Sequence, residues 1–196
     1  GKDPAAATTQ VDLACNLDKR VDVIPPGAGP AETLNGTWTV DKTIYDSFGN
    51  THTMRINYTK TVGAPNSWDA TVTIDPDETG ADTANTIAEV GAVNNTDATF
   101  TVNFNNLGTL ESVTDAQGDL IGEGALQVQL AYDVPDSNLD AAGAPLRQTF
   151  NLNLGEVGSV VNSMTQFAEK SSTKAFRQNG YPMGYLESFK IDQSGM

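Results

Sequence analysis

His52 is the single histidine and Cys15 the single cysteine of a 196-residue chain, so conventional active-site chemistry has few places to start. His52 falls beside Met54 and Ile56 on the apolar side of an alternating run. An isolated imidazole there more often packs in a strand than acts as a base or ligand. A hydrolytic triad around it needs Ser and Asp partners that linear spacing does not locate. Ser171-Ser172-Thr173-Lys174 has the S-x-x-K spacing of serine acyl enzymes, but the companion S-D-N and K-T-G elements are absent. Asp75-Pro76-Asp77-Glu78-Thr79-Gly80 opens like a calcium loop, with Gly at its sixth place. Thr79 occupies the fifth place and Thr86 the twelfth, where the bidentate Glu belongs, so the stretch reads as an acidic surface turn. One Cys and one His are too few for a disulfide framework or a four-ligand zinc site. No cofactor and no metal are expected.

Composition narrows the partners. Eleven Lys and Arg stand against 25 Asp and Glu, a formal net charge of -14 that repels phosphate backbones and anionic headgroups. Neither nucleic acid nor a membrane is therefore expected as a partner. No apolar run approaches the ~18 residues that span a bilayer. Gly1-Lys2-Asp3-Pro4 has no basic start leading into an apolar stretch, unlike a signal peptide, and the chain reads as a piece of a longer protein.

The elements that must carry any site follow from a period of two. Val11, Leu13, Cys15 and Leu17 alternate with polar neighbours, as do His52, Met54, Ile56 and Tyr58. Trp68 to Ile74, Phe100 to Phe104, Leu126 to Tyr132 and Phe150 to Leu154 repeat the pattern, and Tyr185 with Ile191 marks a last strand. Side chains at i and i+2 share one face of a strand, which predicts half-buried antiparallel strands. Asp46-Ser47-Phe48-Gly49-Asn50 predicts a hairpin between Thr37–Tyr45 and Thr51–Thr61, and Asp115 to Asp119 predicts another. Segments 25–36 and 135–145 read as long loops, and Val157 to Lys174 is the one place for a turn or two of helix. The expected fold is all-β: an antiparallel sandwich or partly closed barrel with long loops and little helix. Residues 1–7 are expected to be a linker and 8–196 one β domain.

Four ordered stretches carry a resemblance. They are Thr8-Thr9-Gln10-Val11-Asp12-Leu13 with Asn16-Leu17, then Thr43 to His52 with Tyr58-Thr59-Lys60 and Trp68. Phe104-Asn105-Asn106-Leu107-Gly108-Thr109-Leu110-Glu111-Ser112 follows, and then Asn179 to Leu186 leading into Phe189-Lys190-Ile191-Asp192. Together they resemble the flagellar hook protein family. The resemblance implies the middle domain of a hook subunit, lying outside the tube wall that the subunit's helical ends would form. It implies export through the flagellar apparatus, a place in the hook (in the periplasmic space for a spirochaete), and identical subunits in a helical polymer as partners. It implies a structural protein, not an enzyme.

The cysteine is what the spirochaete branch of that family adds. Its subunits are joined through lysinoalanine between a lysine and a cysteine of neighbouring copies. Cys15-Asn16 stands at the matching place and Lys2 at the matching spacing upstream, with Asn16 as a helper candidate. A thiol near pKa 8.5 and a lysine near 10.4 are poorly prepared at neutral pH, so the reaction needs help from packing. If Thr8 to Cys15 is a strand it spans about 23 Å. Lys2 to Thr8 can double back only about 20 Å, so a neighbouring copy supplies the lysine more easily. The plain alternative for Cys15 is core packing beside Val11, Leu13 and Leu17, and for Asn16 a solvated place on the opposite face.

An isolated domain is expected to be a monomer, since the wall-forming ends are absent. Two rivals remain: a carbohydrate-binding β-sandwich, marked by Trp38, Trp68 or Tyr181 exposed in a row, and a small hydrolase dependent on His52.

Overall fold

The alternating runs do form strands, and their inward faces enclose one core. A computed structural model describes residues 3–76, 87–89, 98–121, 126–134, 142–143 and 146–184. In chain order the elements are β1 (Gln10–Asn16), α1 (Pro30–Gly36), β2 (Thr37–Tyr45), β3 (Thr51–Lys60), β4 (Ser67–Ile74) and β5 (Ile87–Glu89). Next come β6 (Thr99–Phe104), β7 (Leu110–Asp115), β8 (Gln127–Asp133), β9 (Arg147–Asn153) and β10 (Ser172–Gln178). Two five-stranded sheets result, ordered β10-β1-β9-β8-β5 and β2-β3-β4-β6-β7. Their facing sides bury Leu13, Tyr58, Trp68, Phe100, Tyr132 and Phe150 among others. Each fully buried aliphatic or aromatic side chain contributes about 1.5–3 kcal/mol, so the core outweighs any single turn or ion pair. No helix among the described residues is long and apolar enough to cross a membrane.

Turns set the register. Asp46 N–H donates to Asn50 O at 3.0 Å and Gly49 N–H to Asp46 O at 3.1 Å, while Asp46 Oδ1 accepts the amides of Phe48 and Asn50. The carboxylate thereby caps its own turn, and Gly49 supplies the φ of 88° that a side chain would resist. Residues 105–109 and 115–119 repeat the design, with Asn105 and Asp115 in the place of Asp46. After the third turn the described part of the return limb pairs Leu120 with Thr114 and Ile121 N–H with Val113 O, and residues 122–125 lie outside the described chain.

Three expectations need correction. The sandwich is not wholly antiparallel: β1 runs parallel to β9 over Gln10–Asp12, which remote strands can do because no hairpin has to join them. The short helix lies at Pro30–Gly36, inside a segment read as loop, with Pro30 in the first turn where its missing N–H costs nothing. Val157 to Lys174 holds no helix; it is turns and extended chain that end in β10. The strand expected around Tyr185 and Ile191 lies outside the described residues.

The extended part of that segment joins the two sheets. Residues 163–167 take over from β9 beside β1: Thr165 N–H donates to Cys15 O at 3.0 Å and Leu17 N–H to Thr165 O at 2.8 Å. On the other side Thr165 bridges Thr109, and Gln166 N–H reaches Gly108 O at 2.8 Å. Gly108 must lack a Cβ, which would lie 2.6 Å from Gln166 O. Gln166 Oε1 accepts the indole N–H of buried Trp68 at 2.7 Å. Asn16 clasps the same segment. Its Oδ1 accepts from Thr165 Oγ1 and from Phe167 N–H, each at 2.9 Å, and its Nδ2 donates to Glu169 O at 3.1 Å.

Asn16→Ala would leave the buried Thr165 hydroxyl without an acceptor and the part-buried Phe167 amide unpaired, at about 1–3 kcal/mol each. A loss of about 2–4 kcal/mol in urea unfolding is therefore expected, and a loss below about 1 kcal/mol would show that the clasp is dispensable.

Candidate functional site

Cys15 lies in β1 between β10 and the 163–167 segment, just past a bulge: Ala14 pairs with Ala175, but Cys15 pairs with Thr173. The extra residue is Lys174 on β10, and Ala14, Cys15 and Asn16 opposite it are all buried. Cys15 N–H donates to Met164 Sδ at 3.2 Å, and Sγ sits 3.9 Å from Thr173 Oγ1. The side chain has no exposed surface. Burial pushes its thiol up to about 11, outweighing the Thr173 hydrogen bond and the charges of Lys42 and Lys174. The sulfur is therefore a neutral thiol at physiological pH. Tyr58 is buried as well, which raises its pKa, and its hydroxyl has no hydrogen-bond partner.

Asn16 is not solvated as expected. It is 3% exposed, because residues 165–169 pass over the face where alternation puts it. Lys2 lies outside the described residues. Asp3, its covalent neighbour, accepts Gly184 N–H at 2.9 Å on its backbone oxygen. That pairing stands at the β2–β3 hairpin end of the sandwich, where Thr8 N–H meets Tyr45 O, at the far end of β1 from Cys15.

Two groups near Cys15 were not legible beforehand. Thr165 comes from the segment read as helical. Lys174 belongs to the S-x-x-K stretch, which lies on β10 as extended chain instead of the helix that acyl enzymes require. Lys174 Nζ donates to Thr165 Oγ1 at 3.1 Å, and partial burial lowers its pKa. Ser171 Oγ is already an acceptor for Asp18 N–H.

His52 is buried as expected, but it is not bare. Its Nδ1 lies 2.6 Å from Asp75 Oδ2 and its Nε2 2.7 Å from Asp46 Oδ2. Both ring nitrogens are thus occupied, leaving none to take a proton from a nucleophile, which removes the hydrolase reading. The two carboxylates also flank opposite edges of the ring, so the three groups do not converge on a metal position. Asp75 Oδ1 accepts Thr53 N–H at 2.8 Å, which gives the acidic turn's first carboxylate a structural task; residues 77–80 lie outside the described chain. Among the described residues Trp38, Trp68 and Tyr181 form no exposed aromatic row. Trp68 is in the core, and Trp38 is half-buried with its ring 6.1 Å from that of Tyr58.

Comparison with known proteins agrees with this architecture. Residues 16–181 match the family model described as the flagellar basal body protein FlaE D2 domain. The flagellar hook protein FlgE of Treponema pallidum is 48% identical over 193 residues, which is 98% of this chain and 41% of the relative. That of Borreliella burgdorferi is 40% identical over 195 residues, 100% of this chain and 39% of the relative. FlgE of Salmonella typhimurium is 29% identical over 196 residues. The chain spans about two fifths of the length of these relatives. An all-β sandwich matched along nearly its whole length settles the assignment: the chain belongs to the flagellar hook protein family.

Proposed function

We propose that this domain is a rigid structural unit of a flagellar hook, packed beside identical copies in a helical tube and covalently tied to a neighbour through Lys2 and Cys15. Like subunits meeting through unlike faces that do not close a ring make a filament, and a hook is one. The spirochaete relatives favour a hook that turns in the periplasmic space. The observation that carries the cross-link is a lone, wholly buried cysteine on a strand whose neighbour β10 is, among the described residues, the edge of its sheet. The β1–β10 ladder is already irregular at Ala14 and Cys15, so release of β10 is the short route to expose the thiol without opening the core.

The chemistry balances without an oxidant. A base removes the Cα proton of Cys15, a Cα–Cβ double bond forms, the Cβ–Sγ bond breaks, and hydrosulfide leaves. The neutral amine of a neighbour's Lys2 then bonds to Cβ, Cα takes back a proton, and one hydrogen sulfide has been lost overall. The thiol leaves more readily as hydrosulfide than a thiolate would as sulfide dianion, so the burial that raises its pKa to about 11 favours departure. The same burial withholds it from the amine until strands part. Asp3 sits at the opposite end of β1 from Cys15, which supports a lysine supplied by another copy. Lys174, whose pKa partial burial lowers, is the base we assign, and Asn16 is best read as holding the reacting backbone in place.

Mixing Cys15→Ala chains with Lys2→Ala chains at high concentration tests this directly. Mass spectrometry is expected to show hetero-linked pairs lighter by one hydrogen sulfide, while neither variant alone links. Persistence of covalent multimers in Cys15→Ala alone would sink the proposal. The yield is expected to rise about tenfold per pH unit between pH 7.5 and 9.5, because the neutral fraction of a lysine near 10.4 does so. A thiol reagent should label native Cys15 on the order of a hundredfold or more slower than the urea-unfolded chain; equal rates would place the sulfur outside the core.

A further inference from the structure

The β2–β3 hairpin tip carries a buried charge cluster that the proposed cross-link does not use. Asp46 and Asp75 are at 0% and 6% exposure and His52 at 7%, a costly place for three ionisable groups unless each is paired. Every partner of the two carboxylates named above is an N–H donor: the amides of Phe48 and Asn50 for Asp46, the amide of Thr53 for Asp75, and the ring. Asn50 Nδ2 adds another at 3.3 Å from Asp46 Oδ2. Ionised carboxylates satisfy such donors, and only an imidazolium can donate from both ring nitrogens at 2.6 and 2.7 Å. A neutral ring would turn a bare lone pair against a carboxylate oxygen.

The tip also holds the segments just before β1 and just after β10. Ala6 and Tyr181 exchange both backbone hydrogen bonds, at 3.0 and 2.9 Å. Thr8 N–H donates to Tyr45 O, and Tyr45 N–H to Thr8 Oγ1. A Cβ on Gly49 would stand 3.1 Å from both Ala5 Cβ and Met183 N, so the turn and the two segments are in contact. The opposite sheet reaches the same place: Gln148 Oε1 accepts Ser47 N–H at 2.7 Å, and the Tyr132 ring lies 5.5 Å from that of His52.

We propose that His52, held as an imidazolium between Asp46 and Asp75, is a proton-dependent latch that fixes the paired segments 3–8 and 179–184 against the hairpin tip. Loss of its one proton leaves two carboxylates facing a neutral ring, loosens the Asp46 turn, and frees the segments while the sheets stay closed. The titratable or charged groups packed around the ring are Asp46 from the turn, Asp75 after β4 and Tyr132 from β8. Asp3 lies on the N-terminal segment, and Arg147 on β9 is paired with Asp133. Tyr132 stays a neutral phenol, because burial and then the two aspartates raise its pKa. Burial alone would lower the pKa of His52, but the hydrogen bonds and charges of Asp75 and Asp46 outweigh it and raise it. A raised folded value means the latch holds fully below about 6.5, the unpaired value, and is lost as pH climbs through the folded value.

Amide exchange on the whole 196-residue chain between pH 6 and 9 tests the latch. Corrected for intrinsic rates, protection of Ala6, Thr8, Asn50 and Tyr181 is expected to fall about tenfold per pH unit above about 6.5 and then level off. Amides in the β3–β4–β6 centre should not change. Nitrogen shifts of the ring at pH 6 should report N–H at both positions. His52→Gln is expected to leave the terminal amides poorly protected and flat with pH, and Asp75→Asn to shorten the pH window. A neutral ring tautomer at pH 6 would overturn the proposal. So would protection that is independent of pH in the native chain, or a pH slope that survives in His52→Gln. Should His52→Gln fail to fold, the ring shifts and exchange profile of the native chain decide alone.

Discussion

A strand-like segment that runs between two sheets has no water to bond with, so each of its N–H and C=O groups must find a partner in the protein. Residues 163–167 are in that position, with Met164, Thr165 and Gln166 fully covered. They are accommodated because β1 lends its edge on one side and the 105–109 turn on the other. Asn16 supplies what a backbone ladder cannot, accepting from Thr165 and Phe167 while donating to Glu169 O. The join makes the two sheets one body at this corner, and it decides how deeply Cys15 lies, since Met164 and Thr165 cover its backbone.

Burial acts on the two unusual side chains in opposite ways. The thiol of Cys15 meets no strong counter-charge, so burial favours its neutral form. His52 is bracketed by two carboxylates, and their attraction overcomes the same burial to favour the charged form. In the proposed cross-link, neutrality keeps the sulfur ready to leave but inaccessible. In the proposed latch, charge keeps a hairpin tip and two chain segments together. Neither arrangement resembles an enzyme site, where a group must be both reactive and open to substrate.

In the proposed hook, such construction would suit a unit of a bending tube. The core resists deformation because its inward side chains are close-packed. Any give is left to places outside the core, namely the irregular and mostly exposed strand β10 and the segments 3–8 and 179–184. A net charge of -14 over the surface disfavours nonspecific contact between like domains, so association falls to particular faces and, in the proposal, to a covalent bond.

The two-residue rhythm was enough to locate β1 to β4, β6, β8 and β9 and most of the core, because burial on one face is recorded directly in alternating side chains. The Asp46-to-Asn50 turn was equally plain, since Asp and Gly there have local reasons to be chosen. Cys15 and Asn16 could be singled out by resemblance, but not their burial. Strand β10 escaped because its pattern is mostly exposed, as an edge strand allows, and α1 because seven residues between Pro and Gly are too few to show a helical period. The 163–167 join, the parallel β1–β9 pair and the Asp46–His52–Asp75 cluster belong to the tertiary structure alone. Each depends on groups far apart in the chain meeting at hydrogen-bond distance. Local composition determined the strands and turns, and only packing two sheets together decided which polar groups would be buried and with what partners.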